Sequence, residues 1–158
     1  MRIFTLIALF VVMITGLAFS QTKLEAKWHC EKATVEHKID IGDMPDHSYA
    51  IAQGSCTATS PADALGEKSG QYNEYREVWK SSFTFHGHYI STTEGGDKIN
   101  YTYEGTAPSD MTKVSNKWKI VSGTGKCKGL KGSGSCSGKM NADNSVDWEC
   151  TGTYTSAK

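Results

Sequence analysis

In residues 98–104 apolar and polar side chains alternate one by one: Ile99, Tyr101 and Tyr103 share one parity, and Lys98, Asn100, Thr102 and Glu104 share the other. A period of two belongs to an extended chain with one buried face, and no helix satisfies it. The preceding stretch repeats the pattern, with Trp79, Phe83, Phe85 and Tyr89 on one parity and Lys80, Ser82, Thr84, His86 and His88 on the other. Between the two runs, Glu94, Gly95, Gly96 and Asp97 form a tight-turn signal, so they are expected to make a hairpin.

The same alternation places strands near residues 26–37, 48–59, 117–122, 123–128, 133–139 and 146–154, with residues 60–71 as the longest loop. About eight strands of this length joined by short turns fit an all-β fold, an antiparallel barrel or a two-sheet sandwich with little or no helix. No linker, charge block or internal repeat divides residues 21–158, so a single domain is expected.

Residues 1–20 read differently. One positive charge, Arg2, precedes an apolar run that ends in Ala18, Phe19 and Ser20, the form of a secretory signal cut before Gln21. The run is short for a bilayer span of about 20 residues, so a secreted or periplasmic domain with no membrane anchor is expected. The whole chain carries 17 basic and 17 acidic residues. Such a balance offers no electrostatic footprint for nucleic acid.

All five cysteines follow residue 20, and an exported chain meets an oxidising compartment, which makes disulfides the default reading against five buried thiols. In an antiparallel hairpin, positions equidistant from the turn face one another. Cys30 and Cys56 are symmetric about Asp43, and Cys136 and Cys150 about Asp143; Cys127 and Cys136 are also symmetric, about Lys131 and Gly132. Cys136 therefore has two candidate partners. The preferred pairing is Cys30 with Cys56 and Cys136 with Cys150, which leaves Cys127 over.

Residues 82–91 (SFTFHGHYIS), 95–105 (GGDKINYTYEG), 123–138 (GTGKCKGLKGSGSCSG) and 152–154 (GTY) resemble the recurring pattern of bacterial proteins in the allene oxide cyclase-like barrel superfamily, which includes the plant dirigent proteins. The resemblance covers most of residues 21–158. It implies an eight-stranded antiparallel, calycin-like barrel and, from the plant members, a homo-oligomer that is often a trimer. It brings no catalytic signature that these residues carry, and Cys127 stands where such sequences more often have an apolar side chain.

Chemistry is sparse in the sequence. His86 and His88 project from one face of a strand, about 7 Å apart at Cα, but a metal needs a third and usually a fourth donor. No spacing selects one from His29, His37, His47, Glu94 or Glu104, so no metal and no cofactor is expected. The glycine-rich run 123–139 lacks the order of a phosphate loop and no helix pattern follows it. Cys127 lies between Lys126 and Lys128, which are the ordinary outer face of a strand rather than the setting of a nucleophile. Gly54, Ser55 and Cys56 do not complete a nucleophile elbow.

The aromatic parity remains: Trp79, Phe83, Phe85, Tyr101, Tyr103, Trp118 and Trp148 are the candidate ligand-binding residues, since a barrel of about eight strands has an interior wide enough for side chains or one small ligand. Trp28 and Tyr154 share their parity. The function expected is binding of a small apolar or aromatic molecule, or of a partner surface. The alternative is an isomerase or cyclase that holds an apolar substrate in one conformation.

Overall fold

The computed structural model describes residues 21–60, 65–80, 82–108 and 112–156; the expected secretory signal lies outside them. Nine strands run in chain order: β1 (Thr22–Cys30), β2 (Val35–Asp40), β3 (His47–Ala58), β4 (Glu67–Trp79), β5 (Ser82–Thr93), β6 (Lys98–Ala107), β7 (Val114–Gly123), β8 (Lys131–Met140) and β9 (Val146–Thr155). Every pairing is antiparallel. Neighbours follow the order β1, β9, β8, β7, β6, β5, β4, β3, and β3 pairs back onto β1. This closes an eight-stranded barrel, and β2 is an additional strand along β3.

β1 and β2 together make one interrupted stave. Cys30 faces Cys56, and Val35 faces Gln53, so residues 31–34 stand opposite Gly54 and Ser55 alone. The extra residues bulge out of the ladder, and the single strand expected at 26–37 is two strands for this reason. The Glu31 amide still donates to the Ser55 carbonyl at 2.9 Å, and the Thr34 amide to the Gln53 carbonyl at 2.8 Å. Both disulfides join facing positions of paired strands, Cys30 with Cys56 and Cys136 with Cys150, as the turn symmetry predicts.

Three further expectations are corrected. Residues 67–71 belong to β4 rather than to a loop, and β4 runs on to Trp79. Trp79 and Phe83 lie on different strands: Trp79 ends β4 and faces Ser82 across a tight turn in which Lys80 has a φ of 53°. Reversal resets parity, so odd positions point inward on β5 and outward on β4 from Ser69 onward; an irregularity between Glu67 and Ser69 turns Glu67 inward. Residues 123–128 are not a strand. β7 ends at Gly123, and a 3-10 turn, Gly125–Cys127, carries the chain across one end of the barrel.

That end is closed by packing. Ile99, Ile120, Cys127 and Leu130 are all 6% exposed or less and belong to one apolar cluster. The Asp97 carboxylate accepts from the Lys126 amide at 3.0 Å and the Thr124 hydroxyl from the Lys98 amide at 2.8 Å, which ties the crossing to the β5–β6 turn. Gly96 in that turn has a φ of 84°, a value that only glycine adopts at little cost.

Further along the barrel, rings lie across the backbone of the preceding strand: Tyr72 over Gly54, Tyr89 over Gly70 and Tyr103 over Gly87. A methyl group at Gly87 would stand 2.5 Å from the Tyr103 phenol oxygen. Glycine at these inward positions is what lets large aromatic side chains lie flat inside a narrow barrel.

Candidate functional site

The lumen holds a cavity of about 480 Å3 that opens beside residues 31–33. Its size falls within the range of small-molecule sites, about 300 to 1,000 Å3. Of the seven aromatic residues selected by parity, Phe83, Phe85, Tyr101, Tyr103, Trp118 and Trp148 line it. Trp79 does not. It stacks on His47, ring centroids 5.0 Å apart, on the opposite side of the wall, as an odd position on β4 must. Cys30, Cys56, Cys136 and Cys150 line the cavity too, so both disulfides brace its wall.

The rings form two connected runs. Trp28 meets Tyr89 edge to face at 5.4 Å, Tyr89 lies 6.1 Å from Tyr101, and Tyr101 meets Trp118 edge to face at 5.7 Å. Phe83 lies 5.8 Å from Phe85, and Phe85 meets Tyr103 edge to face at 5.9 Å. Such pairs fix ring orientation beyond simple burial, so the wall is shaped before any ligand arrives.

Polar groups enter mainly from β4. Its inward positions include Glu67, Tyr72, Glu74 and Arg76, all of which line the cavity. Arg76 Nε donates to Glu74 Oε1 at 2.6 Å, and its Nη1 reaches Glu36 Oε2 on β2 at 3.3 Å. The guanidinium also sits 5.2 Å over the Phe83 ring. Burial works against the Arg76 charge, but the Glu74 and Glu36 carboxylates outweigh it and hold its pKa above the ordinary value. On the other side of Glu74, the Tyr103 phenol donates to Oε2 at 2.8 Å. Burial, and then the Glu74 charge, push the Tyr103 phenol far up, so it is a neutral donor at any physiological pH.

Nearer the closed end, the Tyr101 phenol donates to Glu67 Oε1 at 2.8 Å, and Glu67 is only 4% exposed. At the mouth, the Tyr72 hydroxyl donates to the Glu31 carbonyl at 3.1 Å, and burial pushes its pKa up to about 12. On the cavity-lining side chains, the buried Tyr89 hydroxyl, Asn116 Oδ1 and Trp118 Nε1 make no hydrogen bond within the described residues. Buried polar atoms are nearly always satisfied, by protein, water or ligand.

His86 and His88 point away from the lumen. His86 is exposed and lies 3.8 Å from Glu104, and among the described residues no group of three His, Cys, Asp or Glu side chains is arranged to hold a metal ion. Cys127 is buried in the closed end, 6% exposed and away from the cavity. The sequence pattern missed Glu67, Tyr72, Glu74, Arg76 and Asn116. For Glu74 and Arg76 the signal was opposite charges at alternate positions of one strand face, continued by Tyr72; Glu67 and Asn116 had no such pattern.

No protein-family model matches the chain. No curated protein matches it either. Among solved structures, the barrel is similar to the pterocarpan synthase dirigent protein GePTS1, with a TM-score of 0.53 and 12% sequence identity over 97% of this chain and 99% of that one. At that identity the likeness is one of fold: this chain is an antiparallel barrel of the dirigent type, with no helix among its described residues long and apolar enough to cross a membrane.

Proposed function

We propose that this chain is an exported member of the allene oxide cyclase-like group whose barrel binds one small, largely aromatic molecule in its lumen. The observation that carries this reading is the cavity of about 480 Å3, open at one end, walled by two runs of aromatic rings with charged and polar side chains set among them, chiefly from β4 and the rim. An interior meant only as core would be filled at this point by side chains. The rigid wall supports binding, because little conformational freedom is lost when a ligand enters.

The test is native mass spectrometry of the mature protein purified without organic solvent, alongside titration with the neutral fluorophore N-phenyl-1-naphthylamine. A one-to-one complex and a blue-shifted, saturable signal are expected. Dye that neither saturates nor competes with any extracted compound would remove the reading.

The isomerase or cyclase alternative has its own support in the Tyr103, Glu74 and Arg76 chain, a fixed donor and a fixed charge beside the cavity. Conversion of a captured compound on prolonged incubation would favour it. A homo-oligomer, trimeric by the resemblance, would bury the outer face of β2 to β4, where Ile39 is 69% and Ile51 61% exposed and Tyr49 meets Tyr75 at 5.2 Å. Sedimentation velocity reads that directly.

A further inference from the structure

The charges that line the cavity are unequal. Glu31, Glu36, Glu67 and Glu74 contribute four carboxyl groups, against the cations of Lys32 and Arg76. Lys32 stands at the exposed rim together with Glu31 and Glu36, which leaves Glu67 and Glu74 as the carboxyl groups set into the wall. Arg76 is the cation set into the wall, and it is already engaged by two carboxylates and a ring face, Glu74 at 2.6 Å, Glu36 at 3.3 Å and Phe83 at 5.2 Å. An anionic ligand would have to displace those partners to reach it, and would face the Glu67 carboxyl group, 4% exposed, in a water-poor place where like charges repel strongly.

A cation meets the opposite conditions. Ring faces carry the negative end of the aromatic quadrupole and attract ammonium groups most when these are desolvated. Asn116 Oδ1, a buried acceptor on the cavity wall, has no donor within the described residues, and an ammonium brings three N–H donors. Trp118, 6% exposed and on the same wall, leaves its indole N–H donor unmatched; an ammonium has no acceptor to offer it, so this position asks for an acceptor on the body of the ligand.

Resting on the binding reading above, we infer that the lumen selects an organic cation: a protonated amine attached to an aromatic or aliphatic body, with the ammonium near Asn116 and the carboxylates and the body against the rings. Neutral analogues of the same shape bind more weakly, and carboxylates more weakly still.

The experiment displaces bound N-phenyl-1-naphthylamine from the mature protein at pH 7 and low salt with three probes of one skeleton: 3-phenylpropylamine, 3-phenylpropan-1-ol and 3-phenylpropionate. The amine is expected to act at a concentration on the order of tenfold below the alcohol, with the carboxylate last, and the gap to narrow in high salt. Glu36→Gln, at the mouth, and Glu67→Gln, in the wall, each shrink the ratio of amine to alcohol potency severalfold, whatever each does to the alcohol itself. Equal potency of amine and alcohol, a preference for the carboxylate, or a gap indifferent to both substitutions overturns the inference. Dye and alcohol that bind while the amine gains nothing leave the binding reading standing. Dye that does not bind takes both down.

Discussion

The Tyr103 phenol donates to Glu74 Oε2 from a ring that crosses directly over Gly87, so one hydrogen bond spans from β6 to β4 above the intervening strand β5. The contact exists because Gly87 has no side chain, and because Glu74 faces Gly87 and Gly87 faces Tyr103 in the ladder. Two consequences are measurable.

Tyr103→Phe keeps the ring and removes the donor, leaving a Glu74 oxygen in a poorly hydrated site. Stability should fall by about 1 to 3 kcal/mol, read from urea denaturation of the two proteins. An unchanged midpoint would mean that water replaces the phenol at no cost.

Gly87→Ala places a methyl group against the Tyr103 ring and the Asn73 carbonyl, at 2.5 and 2.7 Å from their oxygen atoms. Overpacking of this kind costs roughly 1 to 3 kcal/mol, and the dye signal should weaken because the ring is pushed into the cavity. Gly95, in the β5–β6 turn with only the Thr93 hydroxyl at 3.8 Å from an added methyl group, is the control for a general effect of added bulk.

Cys30–Cys56 and Cys136–Cys150 leave Cys127 outside both bridges. Alkylation of the unreduced protein should modify Cys127 alone, and only after denaturation, because it is 6% exposed. Peptide mapping checks the site. Replacing either bridge by two serines should cost about 2 to 4 kcal/mol.

His47 ties the β2–β3 loop to the wall, with Nδ1 2.7 Å from Asp43 and Nε2 3.3 Å from Glu77. Burial opposes its charge, but the hydrogen bonds to Asp43 and Glu77 prevail and its pKa lies above the ordinary value; the same bond holds Asp43 below the usual carboxylate range. A raised histidine contributes stability that is complete below the unfolded pKa of about 6.5 and lost as pH rises through the folded one. A lowered aspartate contributes above about 3.8 and loses its share as pH falls through the folded value. The stability difference between the native protein and His47→Gln should therefore peak between about pH 4 and 6.5, by thermal melts across pH, and shrink on both sides.

Export is checked at the chain terminus: N-terminal sequencing of the secreted product should begin at Gln21. Retention of Met1 would return the first 20 residues to the mature protein.

The barrel was legible wherever one face of a strand is apolar. Ile99, Tyr101 and Tyr103 gave β6, Phe83, Phe85 and Tyr89 gave the inward side of β5, and the turn symmetry of the cysteines gave both registers. β4 was obscured because its inward face is not apolar: Glu67, Glu74 and Arg76 point in while Tyr75 and Trp79 point out. Sorting faces by hydrophobicity fails where the inward positions are charged, and this strand furnishes half of the charged side chains that line the cavity, Glu67, Glu74 and Arg76. Trp79 joined the candidate lining by the same error, its parity carried across a reversal at Lys80.

The interrupted stave has a mechanical consequence. Over Trp28–Cys30 the first strand is held on both sides, by β9 and by β3, and pinned by the cross-link to Cys56. Past the break, β2 hangs from β3 alone. On that side the rim is therefore held by a single ladder and by the Glu36–Arg76 ion pair across to β4, while the hoop beneath is fastened at the sulfur bridge.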